Sequence, residues 1–172
     1  QYELIERLKS QGEVVRGHKV ALTTQAARAH LGVDEPCFGH ILDARVYANG
    51  AEVPVAEFAD PHCEGEIAFM LGEDLKGPGV TPTQVMAATR AVLPAIELVD
   101  LKVQGDGIRA ADVIAHQALH GGVIIGSRLI DLTAVDSHDV LHRIHVYVGL
   151  YPRSHRLERI GIFGAPHRPV NR

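Results

Sequence analysis

The chain has no tryptophan, few aromatic residues (5%) and only two cysteines among its 172 residues. Cys37 and Cys63 allow at most one disulfide, which excludes a small secreted fold held by several disulfides and favours a reducing compartment. The sequence contains no apolar run of about 18 residues, so it predicts no membrane-spanning helix. Its first residues form a charged amphipathic pattern rather than a signal peptide. We therefore expect a cytoplasmic protein with no membrane contact.

An excess of basic charge is also missing. The formal net charge is -4 and both signs are scattered along the chain, so the sequence offers no basic stripe and nucleic acid is not an expected partner. Apolar residues make up 46% and charged residues 22%, which is ordinary for a globular protein. This length is sufficient for one domain with a substantial core.

Periodicity and turn residues predict alternating helices and strands. Three helices are expected: over 2–9, from Thr23 or Thr24 to Leu31 with Gly32 as a left-handed cap, and from a Thr81 cap to about Val92. Strands are expected over 13–22, 64–71, 95–100 and 122–126. Asn49-Gly50 predicts a β-hairpin between 44–48 and 51–53.

Two carboxylates stand at the mouth of an apolar run in the stretch CEGEIAFML. In a strand, residues i and i+2 share a face, so Glu64 and Glu66 project side by side. Like charges that close repel, and burying them adds a further cost unless a cation lies between them. A hard divalent ion such as Mg²⁺ or Mn²⁺ would relieve that repulsion. The alternative is that both glutamates lie on a solvated sheet edge.

Glu97 strengthens the metal hypothesis, because it is a single acid inside the apolar strand Ala95 to Val99. A buried strand seldom holds a carboxylate without a partner. Glu97 could complete a three-acid site with Glu64 and Glu66, or it could form a buried pair with Lys19 or Arg90.

Five motifs, in this order, resemble one known family. They are GHKVALT (17–23), LGVDEPCFG (31–39), EGEIAF (64–69), LKGPGVT (75–81) and PAIELVD (94–100). Together they resemble the 2-keto-4-pentenoate hydratases and 4-oxalocrotonate decarboxylases of the fumarylacetoacetate hydrolase superfamily.

The resemblance implies an α+β fold, a mixed β-roll with flanking helices that is incomplete at both ends. It implies that Glu64, Glu66 and Glu97 bind Mg²⁺ or Mn²⁺, that Lys19 is catalytic and that Asp43 has a polar role in the active site.

By the same resemblance, we expect a metal-dependent lyase that hydrates a 2-hydroxy-2,4-dienoate to a 4-hydroxy-2-keto acid in aromatic catabolism. The partners implied are a small 2-keto or dienol acid substrate and a second copy of the chain or a homologous subunit. Three alternatives stay open: a 4-oxalocrotonate-type decarboxylase, a hydrolase that cleaves an acylpyruvate, and a non-catalytic partner subunit.

The chain departs from the family pattern at four places. Cys37 stands where hydratases usually carry an aspartate and decarboxylases often carry an apolar residue, so it weakens the assignment as a hydratase. Ala21 replaces a common glycine, Leu101-Lys102 replaces a Ser-Arg pair, and His116-Gln117 replaces an Asp-Asn pair. These differences indicate either an altered substrate or a subunit that has lost its chemistry.

The resemblance covers about residues 13–136, so we assign 1–150 to a partial hydratase-like catalytic domain. Residues 151–172 form a tail that does not match the family. One hypothesis is that this tail is a frame-shifted version of the family's next segment, and the other is that it docks on a partner. An incomplete roll would leave strand edges exposed, which favours oligomerisation.

Eleven histidines suggest zinc as an alternative metal. His116 and His120 are four residues apart, as are His138 and His142, with His145 three further on, and this spacing suits one face of a helix. No cysteine or acid accompanies either set at a familiar zinc spacing, so the carboxylate site is the preferred hypothesis.

Overall fold

The structure is a computed structural model that describes residues 1–103 and 105–129, together with the backbone of 147–150. Within these residues the helices are α1 (Tyr2–Ser10), α2 (Gln25–Leu31), α3 (Pro82–Ala88) and α4 (Ala110–Ala115). The strands are β1 (Val15–Ala21), β2 (Cys37–Leu42), β3 (Val46–Ala48), β4 (Pro61–Leu71), β5 (Thr89–Asp100), β6 (His120–Ile125) and β7 (Tyr147–Leu150). None of the helices in the described ranges has the length and apolar character needed to cross a membrane.

All seven described strands form one sheet in the order β2-β1-β7-β4-β5-β6-β3. The pairs β1–β2, β1–β7, β4–β5 and β5–β6 are antiparallel, whereas β4–β7 and β3–β6 are parallel. The sheet is therefore mixed and the helices are few, as the α+β prediction requires.

The long antiparallel pair of β4 and β5 contributes to a different apolar cluster on each of its faces. One cluster contains Ile41, Ala68, Leu93, Ala95 and Val123, and the other contains Phe69, Leu71, Leu75, Ala88 and Val92. Since side chains alternate along a strand, Glu66 shares the face of Ala68, and Glu97 shares the face of Ala95. The first cluster therefore continues directly into the two acids.

Helix α2 confirms its predicted caps, and α3 corrects its predicted end. The Thr24 side chain accepts a hydrogen bond from Ala27 N, and Gly32 has φ 66°. Thr81 and Gln84 form a capping box at α3, but that helix ends at Ala88 rather than near Val92. The reason is tertiary, because residues from Thr89 onward pair with β4 and bury Val92 in its core.

The predicted hairpin at Asn49-Gly50 was wrong, although the turn itself forms. Ala51 N donates to Ala48 O at 3.0 Å, and Gly50 has φ 80°. The chain after this turn is not a strand, and β3 instead pairs in parallel with β6, beside Val123 to Ile125. Packing of the partly buried Val46 against the core near Val123 replaces the local pairing.

Gly39 lies where β2 meets the 3-10 turn Gln117–Leu119, and we predict that Gly39→Ala is destabilising. A Cβ at this position would overlap the backbone carbonyl of Gln117, which cannot rotate away. We expect a loss of about 1–3 kcal/mol in the free energy of unfolding, the usual cost of overpacking. Urea denaturation followed by circular dichroism measures it.

Gly65→Ala is the matched control, because nothing lies within 4 Å of its Cβ position. Equal effects of the two substitutions on unfolding would contradict the close approach of β2 to this turn.

Candidate metal centre

Three acids come together where β4 and β5 pair. Glu64 lies directly opposite Glu97 in the antiparallel ladder, and Glu66 follows two residues later on the same face of β4. One oxygen from each carboxylate lies within 4.8 Å of the others. The sequence predicted this association of three acids on two adjacent strands, and their role as metal ligands stays a prediction.

The acids are unequally buried. Glu97 is 0% exposed and Glu66 is 6% exposed, whereas Glu64 is exposed to solvent. Burial and, to a smaller extent, the charges of Glu97 and Glu64 raise the pKa of Glu66 to about 8, and Lys19 opposes that rise. Within the described residues, Oε2 of Glu66 and Oε2 of Glu97 are buried without a hydrogen-bond partner. Acidic groups and unpaired carboxyl oxygens therefore lie together on one face of the β4–β5 pair.

Lys19 projects from β1 into this cluster and is 2% exposed. Its Nζ lies 3.2 Å from Glu97 Oε1 and donates to the backbone oxygen of Ala118 at 2.8 Å. Of the two pairings considered for Glu97, the one with Lys19 is present, and Arg90 is exposed. The buried pair and the three-acid cluster coexist, since Lys19 uses only one oxygen of Glu97.

His120 is a part of the site that the sequence did not reveal. Its Nδ1 lies 2.9 Å from Glu97 Oε1, the same oxygen that accepts from Lys19. Burial lowers the pKa of His120 more than the bond to Glu97 raises it. We therefore expect a neutral ring that donates through Nδ1 and fixes the orientation of the Glu97 carboxylate.

The turn before His120 sets the position of both the histidine and the Lys19 anchor. Gln117, Ala118 and Leu119 have φ of 57°, 52° and 60°, a left-handed run without glycine. No glycine or Asn-Gly signal marks this run, so residue pattern alone could not have found it. Its backbone carries the Ala118 oxygen to Lys19.

Asp43 lies apart from the clustered acids. It begins the 3-10 turn Asp43–Arg45 at the end of β2, and its Oδ1 accepts from Arg16 Nε at 2.9 Å. Arg16 is buried, so this ion pair fixes Asp43 against β1. The structure does not place Asp43 with the three glutamates, and its active-site role stays a prediction.

Cys37 and the pair His116 and His120 were also singled out in the sequence, and the structure shows where each lies. Cys37 is buried against Val113 and Ala118, and burial raises the pKa of its thiol. His116 follows the end of α4 and His120 begins β6, so they do not share a helix face and the zinc spacing argument fails for this pair. The histidines at 138, 142 and 145, and the 151–172 tail, lie outside the described residues.

No protein-family model matches the chain. Curated hydratases do match it. A 2-hydroxypent-2,4-dienoate hydratase of Pseudomonas putida is 41% identical over 134 residues, which are 77% of this chain and 60% of that protein. A 2-hydroxyhexa-2,4-dienoate hydratase of Comamonas testosteroni is 39% identical over 74% of this chain and 49% of its own length. The chain thus spans about half to three-fifths of these relatives.

Solved structures of a related enzyme show that the similarity includes the fold. A 4-oxalocrotonate decarboxylase from Pseudomonas putida G7, complexed with magnesium and adipate, superimposes with a TM-score of 0.74 at 30% identity. The overlap covers 79% of this chain and 52% of that one. The same decarboxylase complexed with calcium and acetate gives a TM-score of 0.72. The resemblance predicted from the motifs is confirmed, and the chain is a homologue of the 2-keto-4-pentenoate hydratases and 4-oxalocrotonate decarboxylases.

Proposed function

We propose that this chain carries the centre of a divalent-metal-dependent lyase that hydrates a 2-hydroxy-2,4-dienoate to a 4-hydroxy-2-keto acid. The observation that carries the proposal is the three-carboxylate cluster beside a buried lysine. The similarity to the dienoate hydratases supports the choice of substrate class.

The residues present fit a divalent cation. Glu66 and Glu97 each have a buried oxygen that lacks a partner among the described residues, and Glu64 lies beside them. These hard oxygen donors suit Mg²⁺ or Mn²⁺, and the remaining positions would be free for substrate and water. When bound, the ion would act as a Lewis acid that polarises the keto-enol oxygen of the substrate.

The chain's own groups supply the proton chemistry in this proposal. The Lys19 Nζ group is shielded from water and fixed at two points, so it can deliver a proton at a defined place. Bonded to Glu97, His120 limits the rotation of that carboxylate. Asp43 is the second proposed catalytic side chain, and its ion pair with Arg16 at 2.9 Å holds its orientation.

A 4-oxalocrotonate-type decarboxylase is the second candidate, and Cys37 favours it. Hydration requires a polar group that activates or delivers water, and the buried Cys37 thiol offers only a weak one. The structural match to a decarboxylase points the same way. Both reactions require a cation that stabilises an enolate, and the same three carboxylates would hold that cation, so the cluster alone does not distinguish the two reactions.

The resemblance to the family also supports proposals about the domain, its partner and its location. The described mixed sheet would form part of a β-roll within a 1–150 domain, and the strand edges would be covered by a second copy or a homologous subunit. We place the protein in the cytoplasm, acting on a small 2-keto or dienol acid.

The test is turnover by the full chain with Mg²⁺, using 2-hydroxypenta-2,4-dienoate and, separately, a 2-oxohexenedioate. Glu66→Gln is compared with Glu73→Gln, an exposed acid outside the cluster. Metal-dependent loss of the dienoate, abolished only by Glu66→Gln, supports the hydratase. Release of CO₂ from the dicarboxylate instead supports the decarboxylase. Tight metal binding without either reaction would overturn both and indicate a non-catalytic subunit.

Proton release should accompany metal binding. Below its pKa of about 8, the Glu66 carboxyl is mostly protonated, so an ion that binds there must displace close to one proton at pH 7. Calorimetry with Mn²⁺ in buffers of different ionisation enthalpy measures this number. We expect the number to fall toward zero by about pH 9, because Glu66 is then already ionised. Binding with no proton release at pH 7 would show that Glu66 is ionised before the metal arrives.

A further inference from the structure

Two histidines lie directly opposite each other on the first two strands. His18 of β1 pairs in register with His40 of β2. The centroids of the two rings are 4.8 Å apart, and the ring planes are inclined at 55°. Lys19, the next residue of β1, reaches Glu97 from the other face of the strand. The histidine pair therefore lies on the face of β1 that turns away from the three glutamates.

The hydrogen bonds of His40 determine which of its ring nitrogens is free. The side-chain oxygen of Gln117 accepts from the backbone N–H of His40 at 3.0 Å and lies 2.8 Å from His40 Nδ1. An amide oxygen can only accept, so Nδ1 is the donor and Nε2 of the neutral ring carries a lone pair. Histidines that bind metals typically donate their other ring N–H to an oxygen in this way.

His18 supplies an independent observation. Its Nδ1 is buried and has no hydrogen-bond partner among the residues that the structure describes. Burial and, more weakly, the neighbouring His40 lower the pKa of His18 to about 3, and burial also lowers the pKa of His40. Both rings are therefore neutral at pH 7, which is the form that binds a metal ion.

The separation of the rings suits one shared ion. An imidazole nitrogen binds Zn²⁺ at about 2.0–2.1 Å, which places the ion about 3.2 Å from the ring centre. Two rings that bind at a tetrahedral angle then have centres about 5 Å apart, close to the observed 4.8 Å. Phe38 packs against both histidines at centroid distances of 5.7 and 5.4 Å and limits their rotation. Aromatic packing explains these ring contacts, but it leaves the buried His18 Nδ1 unpaired.

We propose that His18 and His40 bind a Zn²⁺ ion that joins β1 to β2, with water at its remaining positions. Imidazole nitrogen is a preferred ligand of Zn²⁺, whereas Mg²⁺ prefers oxygen ligands. The histidine site and the glutamate cluster therefore select different ions. This site does not depend on the proposed lyase activity, because neither histidine belongs to the glutamate cluster.

The test is a titration of the full chain with Zn²⁺ in the presence of excess Mg²⁺, which competes for the three glutamates. The ¹⁵N signals of the imidazole rings are followed by NMR. We expect the ring signals of His18 and His40 to shift together and to saturate below about 100 µM Zn²⁺. His18→Phe keeps an aromatic ring beside Phe38 but removes one ligand, so it should weaken Zn²⁺ binding to His40 by at least about tenfold. His30→Phe is the matched control, since His30 is exposed on α2.

Three results would overturn the proposal. These are unchanged ring signals of His18 and His40 while other histidines respond, the same shifts with Mg²⁺ alone, and equal loss of affinity in the two phenylalanine variants. The ring signals are recorded on the parent chain, so the first two results do not depend on whether His18→Phe folds.

Discussion

Replacing Lys19 with methionine is expected to lower the free energy of unfolding of the metal-free chain by about 3–5 kcal/mol. Lys19 and Glu97 are 2% and 0% exposed, and their Nζ and Oε1 atoms lie 3.2 Å apart. Removing only the lysine leaves a buried carboxylate without its cation, and it leaves the Ala118 oxygen without its donor. Both losses add to the cost.

Because the chain has no tryptophan, urea unfolding is followed by circular dichroism, in EDTA and again in excess Mg²⁺. Arg45→Met is the matched control: its partner Glu57 is exposed, so we expect a loss below about 1 kcal/mol. The double variant Lys19→Met with Glu97→Gln should recover part of the loss, since no unpaired charge remains. A loss below about 1 kcal/mol for Lys19→Met itself would mean that water or protonation already compensates Glu97.

Mg²⁺ should reduce the damage in the Lys19 variant, which links stability to the proposed metal. A divalent ion at the three glutamates would provide the positive charge that the lysine no longer supplies. The same substitution should still remove turnover, since the proton donor is gone. A variant that is rescued in stability but not in activity would separate the structural role of Lys19 from its proposed chemical role.

The sequence predicted the parts of the site that depend on the spacing of residues within a single strand. Glu64 and Glu66 share a face because they are two residues apart in a strand, and Glu97 is conspicuous as one acid in an apolar strand. The sequence also predicts that β4 pairs with β5, because they are two consecutive apolar strands along the chain. The resemblance to a family supplied Lys19, and the structure places its Nζ on Glu97.

The parts that were missed depend on tertiary packing. His120 reaches Glu97 through a left-handed turn that contains no glycine, and the close approach of Gly39 to Gln117 joins segments nearly eighty residues apart. Likewise, β3 exchanges a local hairpin for parallel pairing with β6 because the core near Val123 offers more apolar contact. These tertiary contacts produce no periodic pattern of apolar residues in the sequence.

Glu66→Gln should affect metal binding and stability in opposite directions. The amide keeps the shape of the side chain but cannot supply a carboxylate oxygen, so we expect Mn²⁺ affinity to fall by at least about 100-fold, as for loss of a charged ligand worth about 3 kcal/mol. Without metal, the amide also removes a buried acid whose ionisation the fold opposes. We expect the metal-free variant to be more stable than the parent by about 1–3 kcal/mol at pH 9.

The pH dependence fixes the sign of this effect. The folded pKa of Glu66 is about 8, above its usual value of 4.5, so the fold favours the protonated acid. The stability that comes from this raised pKa is fully present below about pH 4.5 and is lost as the pH rises through 8. The parent chain should therefore lose stability across that range, and Glu66→Gln should not. Unfolding in EDTA at pH 6 and pH 9 measures the difference.

Glu64→Gln is the control that separates ligand loss from burial. Glu64 belongs to the same cluster but is exposed, so its replacement should weaken Mn²⁺ binding while changing the metal-free stability by less than about 0.5 kcal/mol. If Glu66→Gln were instead less stable than the parent at pH 9, the ionised Glu66 would have to be stabilised by a partner in the metal-free fold. In that case the cluster would be a structural ion-pair network centred on Lys19 rather than a metal site.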